Sequence, residues 1–275
     1  MTKAVPALAA ITLLSLQIVL GAQFPAPRTF AKHVLAWADV RNGYQHESIT
    51  HALSTIERLG WESGLYDTII RTDSQPITKS PILFKSGTGI ATGEQFLARN
   101  LDYFDAIFFF GVREVDLTLE QRADLLKFVR DDGKGFVATH AGATGFFSWP
   151  EFGEMLGGRF DEHPWEITNA TVVVEDSTSP ITRHLPKTFD VIDEHYQLKD
   201  LSRTKLHVLA RLDASKLDLK APLVHRTDGD FPVAWTKPYG KGRVFYSTLG
   251  HPRELWDTKW MQTMYFEALK WAMTK

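Results

Sequence analysis

The chain is expected to fold as an α/β domain: a central, mostly parallel sheet with helices on both faces and an antiparallel extension in its second half. Three observations carry that expectation. Short apolar runs alternate with stretches of helical period over residues 33–139. Two of those runs, residues 106–110 (AIFFF) and Gly135–Thr139 (GFVAT), are too short for helices and apolar on both faces, as buried parallel strands are. From residue 167 onward the pattern turns to alternation and a glycine-marked hairpin.

Residues 33–40 (HVLAWADV) read as the first strand and 41–48 (RNGYQHES) as the polar loop after it. Ile49, Ala52, Leu53, Ile56 and Leu59 then share one helical face, and Gly60 is the expected stop. Residues 61–67 read as a second strand. Residues 71–93, rich in Thr, Ser, Gly and Pro, read as an excursion with little regular structure. Thr118 is placed to cap a helix over Leu119–Arg130, which turns Leu125, Leu126 and Val129 inward and closes at Gly133 and Gly135. Right-handed crossovers then put the strands at 33–40, 106–110 and 135–139 side by side, flanked by the helices at 49–59 and 119–130. In the second half, residues 167–175 and 205–212 read as strands, and 231–235 and 243–249 flank a turn within 237–242. Residues 260–273 read as a closing helix with Met264, Leu269 and Trp271 in the core. Nothing divides residues 29–275, so one domain is expected.

Composition narrows the function. Of 275 residues, 44% are hydrophobic and 23% charged, the balance of a globular domain. Lys plus Arg number 31 against 33 for Asp plus Glu, a net charge of −2, so no nucleic-acid partner is expected. Cysteine is absent, which excludes disulfides, zinc–thiolate sites, iron–sulfur clusters and thiol nucleophiles. Residues 1–22 read as a signal peptide: Lys3, an uncharged run to Ala22, then Pro25 and Pro27. The domain is therefore expected to be exported, periplasmic or extracellular, with membrane contact only through an uncleaved signal segment.

In open α/β sheets, ligands bind beyond the carboxyl ends of the strands. His46 follows the first strand, His140 ends the strand at 135–139, and His251 follows the hairpin. His163 comes soon after Gly157-Gly158, and Asp193-Glu194-His195 interrupts an apolar-flanked segment. We expect His46, His140, Glu194 and His251 to line one concavity, with His163 at its edge. Imidazoles near neutrality exchange protons, hold metals or hydrogen-bond sugar hydroxyls. No helix-spaced ligand pair such as HExxH is present. A divalent ion remains an open cofactor, with His46, His140 and His163 as its first-choice ligands, and no nucleotide cofactor is expected.

Five segments together resemble the ThuA-like (trehalose-utilisation) family over residues 33–272. They are Gly43-Tyr-Gln-His-Glu-Ser-Ile49, the strand ending in His140, Gly157-Gly-Arg-Phe-Asp-Glu-His-Pro164, Asp193-Glu194, and the stretch from Pro232 to His251. Gln45, where Arg is more usual, and His195, where an aromatic is common, depart from the pattern. The resemblance implies a flavodoxin-like fold similar to class I glutamine amidotransferases. Those enzymes carry a Cys nucleophile after a central strand; here Thr139-His140 stands there, and His251-Pro-Arg-Glu254 looks like their late His segment. With no thiol, release of ammonia from glutamine by a thioester route is ruled out.

Alongside the export expected from residues 1–22, the resemblance further implies an enzyme acting on a disaccharide, glycoside or keto-sugar. His140 and His251 would be its acid–base groups, with Glu194 as their partner base or orienting carboxylate. His46, His163, Asp193, His195, Tyr196 and Trp235 would bind substrate, and Trp165, Trp235 and Tyr196 would offer flat faces to the ring. The alternative is a sugar-binding protein that uses the same pocket without turnover.

Overall fold

The first crossover unit sets the direction of the sheet. In the computed structural model, which describes residues 27–41, 43–85, 95–114 and 116–274, β1 (His33–Trp37) leads through a loop into α1 (Ser48–Ser63). β2 (Asp67–Arg71) then pairs parallel with β1. The signal segment expected over residues 1–22 lies outside the described residues.

This unit corrects two expected boundaries. The helix runs through Gly60 and ends at Gly64, whose φ of +70° provides the left-handed cap. Gly60 is instead a point of close approach, because a Cβ there would lie 2.3 Å from the Tyr66 ring. The second strand accordingly occupies 67–71 rather than 61–67.

β3 (Ile82–Lys85), inside the excursion, and β4 (Gln95–Ala98), just beyond it, form an antiparallel pair that the turn-rich composition hid. β5 (Ala106–Phe109) and β6 (Gly135–Thr139) are linked by α2 (Leu119–Arg130). Thr118 caps α2 in a reciprocal box with Gln121. Next come α3 (Pro150–Leu156) and β7 (Arg159–Glu162), both too short to show a period. The second half supplies β8 (Ile167–Val174), β9 (Thr188–Glu194), β10 (Gln197–Lys199), β11 (His207–Leu212), β12 (Pro232–Tyr239) and β13 (Gly242–Ser247). β12 and β13 are joined through Gly240 and Lys241, with Gly240 at φ +58°, and α4 (Lys259–Ala272) closes the chain.

Among the described residues, nine strands form one sheet in the order β2-β1-β5-β6-β13-β12-β11-β8-β9, and β7 pairs with β10 beside it. β1, β5 and β6 are parallel neighbours, as expected. β13 pairs parallel with β6 and antiparallel with β12, so it is the junction between the two halves.

Alternation along β5 explains the layers. Ala106 and Phe108 face α1 and α4, against Ile49, Leu53, Ile56, Met264 and Leu269. Ile107 and Phe109 face α2 and α3, against Leu125, Phe128, Phe152 and Met155. Burying each such side chain stabilises the fold by about 1.5–3 kcal/mol. Trp271, expected in the core, is only partly buried and packs at the edge of the first layer. Among the described residues no helix is long and apolar enough to cross a membrane.

Candidate functional site

Strand direction gathers the site. β1, β6 and β13 are parallel through the β1–β5–β6–β13 ladder, so His46, His140 and His251 all follow strands at the same sheet edge. From β13 the ladder reverses four times, through β12, β11 and β8, and returns β9 to the same direction. Glu194, the last residue of β9, therefore arrives at that edge too.

His140 sits on a strained turn. Its φ of +39° is unusual for a residue with a Cβ, and the surroundings over-determine it. Thr139 Oγ1 donates to the Leu249 carbonyl at 2.9 Å, and Tyr246 donates its hydroxyl to the His140 carbonyl at 2.7 Å. His140 Nδ1 lies 2.8 Å from the Thr248 carbonyl, which only accepts, so Nδ1 carries the proton. Tyr196 stacks on the ring at 4.5 Å, with its hydroxyl 2.9 Å from Nε2.

Three atoms meet at the centre. His140 Nε2 and His251 Nδ1 are 3.2 Å apart, and each lies 3.2 Å from Glu194 Oε2. The His46 ring stands nearly perpendicular to both other imidazoles, its centroid 4.9 Å from each. His46, His140, Glu194 and His251 offer ligand atoms that all fall within 4.8 Å of one another.

The electrostatics follow from this packing. Burial, reinforced by the neighbouring imidazoles, pulls His46 down to about 3, so it is neutral at ordinary pH. Burial alone would raise Glu194, but its bonds to His140 and His251 hold the carboxyl far below the usual range. Burial opposes a charge on His251, yet the Glu194 carboxylate outweighs it and raises this imidazole. Burial, then the Glu194 charge, pushes the Tyr196 phenol well up, leaving it a donor.

His46, Glu194, Tyr196 and His251 line the floor of a cleft of about 530 Å³, and the fully buried His140 stands behind them, not among the lining residues. Tyr44, Phe147 and Phe160 give it apolar wall, while Arg113, Glu162, His163 and Glu166 give it polar wall. Of these, the sequence reading named only His163 as a site residue. Phe160, Glu162 and His163 stand within one motif, which was the available signal for the first two.

Several expected ligand contacts are not made. Asp193 is fully buried and turned to backbone: its Oδ1 accepts from the Glu194 and His251 N–H groups, and its Oδ2 from Gly250. Neighbours on a strand face opposite ways, so only Glu194 of this pair faces the cleft. His195 is buried, with Nε2 3.0 Å from the Thr168 carbonyl, and burial lowers its pKa. Trp235 is also buried, in the layer under α2 and α3, where its indole N–H donates to the Leu156 carbonyl at 2.9 Å. Trp165 packs edge-on against Phe231 and does not line the cleft.

The expected metal triplet also changes. His163 Nδ1 lies 3.5 Å from Glu166 Oε2 and 4.0 Å from the outer oxygen of Glu194, on the cleft wall. It belongs to a separate group with Glu166 and Glu194, while Glu194 and His251 join His46 and His140. The β9 reversal brings Glu194 inward, and the turn after β7 leaves His163 outside.

Comparison with solved structures shows the same fold. A ThuA-like protein from Bacteroides uniformis ATCC 8492 superposes with a TM-score of 0.66 at 20% identity, covering 92% of this chain and 95% of that one. A second, from Parabacteroides merdae ATCC 43184, gives 0.63 at 16% identity over 88% and 90%. A cytoplasmic protein from Salmonella typhimurium LT2 gives 0.53 at 14% identity over 87% and 99%. No curated protein matches the sequence. The family model for trehalose utilisation, ThuA, matches residues 33–272, from the first strand to the end of the last helix, and the chain belongs to that family.

Proposed function

We propose that the chain is an exported carbohydrate-processing enzyme acting on a disaccharide, glycoside or keto-sugar derivative, with His140, Glu194 and His251 as its proton-handling floor. One observation carries the reading: the 3.2 Å contacts among His140 Nε2, His251 Nδ1 and Glu194 Oε2, where Glu194 and His251 line the cleft and His140 backs them. Neighbouring groups whose pKa values are pushed apart, a carboxyl downward and an imidazole upward, suit proton transfer more than passive holding. The cleft volume falls within the range of small-molecule sites. Its aromatic walls suit a sugar ring, and Arg113, Glu162 and Glu166 suit hydroxyls. Membership of the trehalose-utilisation family supports a sugar substrate. The signal-like composition of residues 1–22 supports export.

The test is incubation of the purified domain with glycosides and their 3-keto derivatives, with products followed by NMR. Turnover of at least one is expected, and His140→Ala should lower it by about 100-fold or more. Sugar binding without product across the whole set would overturn the enzyme in favour of a binding protein.

A further inference from the structure

The three atoms at the floor cannot be satisfied by one another. His140 Nδ1 faces the Thr248 carbonyl at 2.8 Å, so Nε2 is its atom at the centre. Glu194 Oε2 carries only lone pairs there. A proton on His251 Nδ1 would serve the edge to Glu194, and the Tyr196 hydroxyl lies 2.9 Å from the His140 corner. At most two of the three edges carry a hydrogen bond at any one time, because two donors at the imidazole corners would face each other across the edge between them.

A cation resolves all three edges at once. The triangle is equilateral, each side 3.2 Å. Ligand atoms of a tetrahedral ion with bonds of 2.0–2.1 Å stand about 3.3 Å apart. An ion at that bond length from all three corners would sit about 0.9 Å out of their plane. His46 brings a fourth ring within reach, and its buried Nδ1 has no hydrogen-bond partner.

The surroundings match the supports metal ligands need. His140 donates its other ring nitrogen to a carbonyl, the usual way a ligating imidazole is oriented. Asp193 fixes the backbone of both His251 and Glu194. The geometry points to a mononuclear site for a divalent transition-metal ion held by His46, His140, Glu194 and His251, with His163 outside it. Three imidazoles and a carboxylate favour zinc or its first-row neighbours over magnesium or calcium. The ion's binding stands apart from the sugar; its use rests on the sugar substrate of the proposed function and replaces proton exchange at His140 Nε2 and His251 Nδ1, whose lone pairs it would take. There it would polarise a sugar carbonyl or hydroxyl oxygen entering from the cleft.

The experiment strips the purified protein with chelator and titrates it with cobalt(II), followed by visible absorption. Reloading with zinc and elemental analysis gives the stoichiometry. One ion per chain is expected, with cobalt affinity weakened by about 100-fold or more in His140→Ala and in the isosteric Glu194→Gln, and unchanged in His163→Ala. Circular dichroism confirms that each variant is folded. Less than a tenth of an ion per chain, or unchanged cobalt affinity in folded His140→Ala and Glu194→Gln, would overturn the site. So would two ions of which His163→Ala removes one. Ion bound but no sugar turned over overturns the proposed function and leaves the site standing. Full turnover by the stripped protein overturns the ion's role and leaves the enzyme standing.

Discussion

Asp193 holds His251 by its backbone: Oδ1 accepts the His251 N–H at 3.0 Å while Oδ2 accepts the Gly250 N–H at 2.7 Å. Oδ1 also takes the Glu194 N–H at 2.8 Å, so one buried carboxylate sets two corners of the floor. Asp193→Asn would turn an amide N–H against a backbone N–H. It should cost about 2–3 kcal/mol, measured by urea unfolding, and should lower kcat more than it raises KM. Stability within about 0.5 kcal/mol of the parent would remove Asp193 from its positioning role.

Gly60 sets two magnitudes against each other. Gly to Ala inside a helix ordinarily stabilises by about 1 kcal/mol. Here the new Cβ would meet the Tyr66 ring at 2.3 Å and the Tyr66 carbonyl at 2.6 Å. Overpacking of that kind costs about 1–3 kcal/mol, so Gly60→Ala should be destabilising on balance. A raised melting temperature in Gly60→Ala would contradict this.

Asp176 predicts part of the acid sensitivity. Bonds from Thr178, His207 and Ser179 hold its carboxyl well below the ordinary range. A folded pKa below the unfolded one gives stability that is present above about pH 4 and lost as the pH falls through the folded value. Asp176→Asn should therefore be less stable than the parent at pH 7, with the gap closing below about pH 4. Unfolding curves showing a constant gap from pH 7 to pH 2 would refute the assignment.

Trp235 and Tyr44 should separate packing from binding. Trp235 is buried, and its replacement by Ala should cost about 3–5 kcal/mol. Tyr44 is 66% exposed on the cleft wall, edge-on to His46. Tyr44→Ala should stay within about 0.5 kcal/mol of the parent while raising KM for the sugar several-fold. Paired melting and kinetic measurements check both.

The parallel core was legible because its signals are local. The apolar runs at 106–110 and 135–139 and the cap at Thr118 need no distant partner, and they place β5, β6 and α2 where they are found. His46, His140 and His251 were legible for a related reason, since each follows a strand at the edge where loops converge. What stayed hidden depends on contacts across the fold. The choice between Gly60 and Gly64 as the helix end turns on Tyr66. The inward turn of Trp235 and the backbone duty of Asp193 depend on which face of a strand each residue occupies. Exchanging His163 for Glu194 and His251 in the ion's ligand set needs the whole β13-to-β9 ladder, which no local pattern reports.

The position of β13 has a kinetic consequence. It alone pairs with both β6 and β12, and it delivers His251 to a partner, His140, that lies 111 residues earlier. Closing a loop of that length is slow relative to forming local hairpins and helix turns. The cleft floor spans β13, with His46 and His140 on one side of the strand and Glu194 on the other, so formation of the floor waits on this long-range pairing.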